Sequence, residues 1–316
     1  MKNLILKSVL YIGLILLALE GLVRVLHLYT EDPPRFIDEK LVEKRVPGHQ
    51  GYAVTGNRNQ NFSEFRINSF GFNSANEFNP SKEDFEIALI GDSFIEGFHQ
   101  DYDDSTGEKI ENLLQGVSVY EYGYAGYDLA NQMHLINAYA QQFALIDKIV
   151  IYLNFESDLG RAEYQPNYGR INMLNSMVFK IRDNIKLLAY GSKIGILEPL
   201  KRLVQGGEVN KNENEQPVPR ENSDNNEDHI RLTNFKSLIN LYGFDKTKTS
   251  ILFDSRKTSN EFIEFCNSEG IDLIDFSNAF QRSKKPTTLI YDHHWNNNGR
   301  TLIASQIAEH FKNSIN

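Results

Sequence analysis

The chain has 316 residues, 41% of them hydrophobic, which is enough for one large or two ordinary domains with a sizeable core. A formal net charge of -9 and the lack of any lysine- and arginine-rich run argue against a nucleic-acid binder, which needs a basic face. The single cysteine, Cys266, excludes an internal disulfide framework and a cysteine-built zinc site.

The first element is Leu4 to Leu26, an apolar run interrupted by Lys7, Glu20 and Arg24. A membrane span needs about 20 residues and a signal-peptide core about 7 to 15, so residues 1–28 read as a membrane anchor or a signal peptide. The anchor is favoured because no small-x-small cleavage site follows, and Glu20 and Arg24 can snorkel to the interface. Lys2 and Lys7 before the run and Glu31-Asp32 after it put the N-terminus inside and the bulk of the chain outside the cytoplasm, in the periplasm if the cell is Gram-negative. Residues 29–80 follow as a connector, marked by Asp32-Pro33-Pro34, and then as lead-in loops rich in asparagine and glycine with short strands at most.

From residue 81 the pattern alternates strand and helix. Phe85 to Ile90, Val117 to Tyr122, Lys148 to Leu153, Ser250 to Asp254 and Ile271 to Phe276 are short apolar runs rich in branched and aromatic residues. Ser105-Thr106-Gly107-Glu108 reads as a capping box opening a helix to Leu114, with Gly116 closing it. Five such strands with helical crossovers predict an α/β fold, a three-layer sandwich around a five-stranded parallel sheet, preceded by one transmembrane helix. Residues 81–316 form this domain. An insertion over 170–230 lies between the third and fourth strands. Its first part has helical apolar spacing, read as packing against the sheet with a lid or channel wall as the alternative. Its 205–228 stretch is polar, without apolar period, and reads as a mobile loop.

Chemistry concentrates at two places. Gly91-Asp92-Ser93-Phe94 directly follows the first strand, and Asp292-His293-His294-Trp295-Asn296 precedes the final helix. A serine alcohol is a poor nucleophile at neutral pH and needs a base within reach and a group to orient that base. At a strand-turn-helix junction Ser93 stands where free helix amides face developing negative charge. Asp-x-His spacing favours His294 over His293, because adjacent loop residues point in different directions. A metal site built from Asp292, His293, His294 and His99 is the weaker alternative, since adjacent histidines rarely chelate one ion; no metal or cofactor is expected. Trp295 packs the loop, and Asn296 is placed to cap the last helix.

These two motifs, with Arg66-Ile67-Asn68-Ser69-Phe70-Gly71-Phe72 upstream, make the chain resemble the SGNH hydrolase superfamily, also called GDSL-type esterases and lipases. Asp-x-His-Trp-Asn resembles the subgroup of membrane-anchored bacterial polysaccharide O-acetylation proteins. The resemblance covers roughly residues 65–312 with one interruption. It implies Ser93 as nucleophile and first oxyanion amide, His294 as general base, Asp292 as its orienting carboxylate and Gly126 as the second oxyanion amide. The third block departs: Leu153-Asn154-Phe155-Glu156-Ser157-Asp158 stands where the family carries Gly-x-Asn-Asp, so the side-chain donor is Ser157 or Asn154. Tyr124, Tyr127 and His293 are candidate substrate contacts.

The function this predicts is a serine-dependent esterase or acyltransferase on ester-linked acyl groups, acetyl on an extracytoplasmic carbohydrate. One alternative is a non-catalytic partner of a membrane acyltransferase or polysaccharide assembly complex, which Glu156-Ser157 favours. The other is a lipid esterase. The partners implied are an acylated carbohydrate or lipid, the membrane and a membrane acyltransferase, with no nucleic acid.

Overall fold

A computed structural model describes residues 1–56, 61–196 and 225–315. Its centre is a five-stranded, all-parallel sheet built from β5 (Phe85–Gly91), β6 (Val117–Gly123), β7 (Lys148–Tyr152), β8 (Thr249–Phe253) and β9 (Asp272–Asp275), in the order β6-β5-β7-β8-β9. Each coincides with a predicted strand to within two residues. The apolar runs are continuous because both faces are covered, as parallel sheets require. Along β5, Ala88 and Ile90 point into one core while Ile87 and Leu89 point into the other, the period-2 alternation of a strand.

The first core is closed by α4 (Leu129–Ala138), α5 (Ala140–Leu145), α9 (Asn225–Tyr242) and α10 (Asn260–Glu269), which contribute Met133, Phe143, Phe235 and Phe262. The second is closed by α3 (Thr106–Leu113), α11 (Ser277–Arg282) and α12 (Asn297–Ile315), through Ile110, Phe280, Ile303, Ile307 and Phe311. The protein is thus a three-layer α/β/α sandwich. Ser105 caps α3 as expected, accepting from the Glu108 amide at 3.2 Å. Cys266 is buried in the first core, and burial pushes its thiol up to about 12.

Chain order within the sheet reverses between β5 and its two neighbours β6 and β7, and ligands of such sheets bind outside the strand carboxyl ends at that point. The turn after β5 carries Ser93. Gly123 at the end of β6 permits this turn: a Cβ there would lie 2.0 Å from the Glu96 amide, so only glycine lets the short helix α2 (Ser93–Glu96) lie against the strand.

The lead-in is more ordered than loops. It forms two antiparallel pairs, β1 (Arg35–Ile37) with β2 (Glu43–Arg45), and β3 (Gln50–Thr55) with β4 (Asn61–Arg66). All of β2 is buried although its residues are Glu43, Lys44 and Arg45. Arg45 donates to Glu96 (2.8 Å), Asp32 (2.5 Å) and the Pro33 carbonyl (2.9 Å), so charge pairing rather than apolar content holds this strand inside.

The apolar N-terminus is one helix, α1 (Lys2–Val25), long and apolar enough to cross a membrane, with almost none of its surface covered by the rest of the protein. The insertion starts with three short helices, α6 (Tyr168–Leu174), α7 (Met177–Asn184) and α8 (Lys186–Lys193). The expectation that they pack on the sheet is corrected: α7 and α8 have no fully buried residue, and their main contacts run to one another, to α6 and to α1. Most of the predicted 205–228 loop lies outside the described residues, while α9 begins inside its end, at Asn225.

Candidate active site

Asp92 closes β5 and caps α2, its carboxylate accepting from the Phe94 amide at 2.8 Å. This leaves Ser93 at the first helical position, half-buried. The partner loop is shaped like a hairpin: Leu289 donates to the His294 carbonyl (2.9 Å) and Asn296 to the Thr287 carbonyl (3.1 Å). Trp295 is buried beneath it against Phe94, Tyr152 and Phe276. Asn296 accepts from the Gly299 amide at 2.9 Å, capping α12 as the sequence suggested.

The loop brings His294 Nε2 to 2.8 Å from Ser93 Oγ. Its Nδ1 lies 3.2 Å from Asp292 Oδ1 without aligning as a hydrogen bond, and the His294 backbone amide donates to the same oxygen at 2.9 Å. Serine, histidine and aspartate from opposite ends of the chain therefore meet in the spatial order Ser93–His294–Asp292.

A second histidine joins them, which motif reading raised only as a metal ligand. His99 Nε2 lies 3.3 Å from Asp292 Oδ2, and its ring stacks on His294 with centroids 4.0 Å apart. Burial alone would raise the Asp292 carboxyl, but the facing His294 and His99 imidazoles, with the hydrogen bond from the His294 amide, hold it well below the usual carboxylate range. Burial lowers His99, with Asp292 opposing. Both effects favour a neutral imidazole donating to a carboxylate. His99, Asp292 and His294 also offer ligand atoms within 4.8 Å of one another, a spacing a metal ion could bridge. His99 Nε2 and His294 Nδ1 face opposite oxygens of Asp292 at 3.3 and 3.2 Å, a pairing of one carboxylate with two imidazoles that also accounts for the cluster.

Gly126 is exposed in the loop after β6 at φ +99°, in the left-handed region that favours glycine. The preceding Ala125 amide donates to Glu96 at 3.0 Å, tying this loop to the end of α2. A Cβ on Gly126 would lie 2.2 Å from Arg170 Nη1, so the insertion reaches the site through Arg170, a residue no motif marked.

After β7, Ser157 is exposed and donates to Asp158 at 2.7 Å. Asn154 is half-buried and lines a cleft of about 120 Å³ together with Phe94, Tyr152, Arg256, His293 and Trp295. The cleft adjoins the serine and its base without including either. Beneath it, burial pushes Asp92 up to about 6, and burial with the facing Asp92 charge pushes Asp158 well above its ordinary value. Asp92 and Asp158, both buried and facing one another, thus resist sharing negative charge.

Tyr124 and Tyr127 are corrected as substrate contacts. Both are buried in the core, with Tyr127 hydrogen-bonded to the Glu43 carbonyl and Arg35 over the Tyr124 ring, so neither has a face open to a sugar. His293 is exposed at the cleft.

No protein-family profile matches the chain, and no curated protein does. Among solved structures it is similar to a lipase/acylhydrolase from Enterococcus faecalis, at 12% identity over 73% of this chain and 96% of that one, with a TM-score of 0.41. It is also similar to a psychrotrophic esterase from Pseudoalteromonas sp., at 10% identity over 73% and 99% of the two chains with a TM-score of 0.41. A member of the lipolytic protein G-D-S-L family from Veillonella parvula matches at 17% identity over 72% and 98%, with a TM-score of 0.39.

Proposed function

We propose that the protein is a serine-dependent esterase or acyltransferase, acting on ester-linked acyl groups of an extracytoplasmic carbohydrate, with acetyl as the acyl group. The observation that carries this reading is the 2.8 Å approach of His294 Nε2 to Ser93 Oγ with Asp292 behind the imidazole. Ser93 Oγ attacks the acyl carbon while its proton passes to His294 Nε2, and Asp292 steadies the imidazolium. The amides of Ser93 and Gly126 hold the oxyanion, with Asn154 as side-chain donor because Ser157 already gives its proton to Asp158. The alkoxide leaves with the proton from His294. Water or a sugar hydroxyl then attacks the acyl-serine, His294 acting again as base.

The small cleft, bordered by Asn154, Arg256 and His293, supports a short acyl group on a polar carrier over a long lipid chain. The α1 helix supports attachment to a membrane, with the catalytic domain outside the cytoplasm as the flanking charges suggest. The test is incubation of detergent-solubilised full-length protein with p-nitrophenyl acetate and with acetylated and unacetylated polysaccharide. Release of p-nitrophenol dependent on Ser93, and loss or gain of polysaccharide acetyl, are expected. A protein that turns over neither substrate, and is not acylated, would be a non-catalytic partner instead.

A further inference from the structure

The two charged residues that interrupt the outer part of α1 are both engaged. Glu20 accepts from the amides of Lys186 (3.0 Å) and Leu187 (2.7 Å), which open α8, and Arg24 donates to the Asn184 carbonyl (2.7 Å), which ends α7. The pair also bridges itself at 2.7 Å. Helix starts and helix ends are where backbone groups lack partners, so the charged pair on α1 caps the break between the two insertion helices. Next to it Val23 is buried, and Lys186 Nζ stands 4.6 Å over the Tyr29 ring. The apolar helix is built into the domain, with no free linker between them.

Outward from this joint, α7 presents Met177 (77% exposed), Val178 (75%) and the exposed Ile181, followed by the exposed Ile185. Met177, Val178 and Ile181 share one face of α7, and Ile185 continues the exposed apolar surface at the break that follows. A contiguous apolar face of this kind on a folded protein marks an interaction surface. We propose that it lies in the interfacial layer of the same bilayer that α1 spans, so that its occupant is lipid. The proposal rests on reading α1 as a span.

The register of the joint selects this occupant. Glu20 sits five residues before Val25, about 7.5 Å along the axis at 1.5 Å per residue. The start of α8 that it binds is therefore level with the last turns of the span, at headgroup depth. Apolar side chains at that depth immerse themselves, while flanking basic residues such as the exposed Lys180 meet the headgroups. The same joint leads to the active site. Thr30 accepts from the Val54 amide (3.0 Å), Lys193 donates to the Val54 carbonyl (3.1 Å), and Thr55 meets the Tyr291 hydroxyl (3.3 Å), one residue before Asp292. On this proposal the loop that carries Asp292 is joined to the span by a run of hydrogen bonds, which would hold the site near the bilayer surface.

The test uses the full chain in phosphatidylcholine–phosphatidylglycerol liposomes, with single cysteines carrying an environment-sensitive fluorophore and a brominated lipid as quencher. Cys266 is buried and stays unlabelled in the folded protein. Met177→Cys, Val178→Cys and Ile181→Cys are compared with Leu16→Cys in α1 and with the exposed Glu309→Cys on α12. Labels at the three α7 positions are expected to be quenched at least about twofold more than the Glu309 label, and less than the Leu16 label. If they match Glu309 while Leu16 is quenched, the α7 face is outside the bilayer and the proposal is overturned. If Leu16 is not quenched either, the span reading fails and takes the proposal with it.

Discussion

The imidazole of His99 lies 4.0 Å from that of His294, nearly parallel to it, and the two rings turn nitrogens to opposite oxygens of one carboxylate, Asp292. Asp292 is therefore steered by a residue on each side, and His294 is wedged between His99 and Phe94. β4 fixes the second histidine from behind, with Asn61 donating to the His99 carbonyl and Ser63 to that of Phe98.

Removing His99 is expected to leave Ser93 and His294 in place but free Asp292 to rotate. A hydrogen bond to a charged group contributes about 1.5–3 kcal/mol, and Asp292 is partly exposed, so kcat should fall roughly tenfold in His99→Ala with KM nearly unchanged. His99→Gln, which keeps a donor, should recover most of it. Steady-state kinetics across pH checks this. An unchanged kcat and pH profile in His99→Ala would reduce the stack to packing.

Asn154 and Ser157 make a second pair of contrasting expectations. Losing an oxyanion side-chain donor costs about 100- to 1000-fold, so Asn154→Ala should slow single-turnover acylation of Ser93 by roughly that amount. Ser157→Ala should change it by less than about threefold, since that hydroxyl serves Asp158. The reverse ranking would identify Ser157 as the donor.

The sheet was legible because β5, β7 and β8 are buried on both faces and so form near-continuous apolar runs. The two-ended motif was legible because Asp-x-His and Gly-Asp-Ser are local patterns. The lead-in was not: β2 is Glu-Lys-Arg, and nothing in such a triplet announces a buried strand until Glu96 and Asp32 arrive from elsewhere to pair with Arg45. Arg170 was invisible as a site neighbour, and His99 was marked only as a metal-ligand alternative, for the same reason, since only folding lays one on Gly126 and stacks the other on His294. Tyr124 and Tyr127 misled because a tyrosine beside a loop glycine looks the same in sequence whether it faces ligand or core.

Arg45 gives a stability prediction. It is buried against an equally buried Glu96, which also receives the Ala125 amide. Removing one partner of a buried pair costs about 3–5 kcal/mol, so Arg45→Ala should lower unfolding stability in urea by that order and loosen the Gly126 loop. A loss below about 1 kcal/mol would mean that water replaces the guanidinium without penalty.

Glu121 gives a pH prediction. Burial pushes its carboxyl up to about 7, against hydrogen bonds from Ser105 and Gly107 that favour the anion. In the unfolded chain it titrates near about 4.3. The folded state therefore holds its proton more tightly, and this contribution to stability is complete below about 4.3 and lost as pH rises through about 7. Glu121→Gln should gain on the wild type in melting temperature between about pH 5 and 8, by a few degrees. Parallel melting curves across that range would contradict the assignment.

The most direct measurement is covalent labelling of the full-length protein with a fluorophosphonate, read by mass spectrometry of the Ser93 peptide in wild type, Ser93→Ala and His294→Ala. The expected result is one adduct on Ser93, absent from Ser93→Ala and slowed by at least about 1000-fold in His294→Ala, with melting temperatures preserved. An unlabelled wild type, or labelling that persists in Ser93→Ala, would contradict a nucleophilic serine at this site.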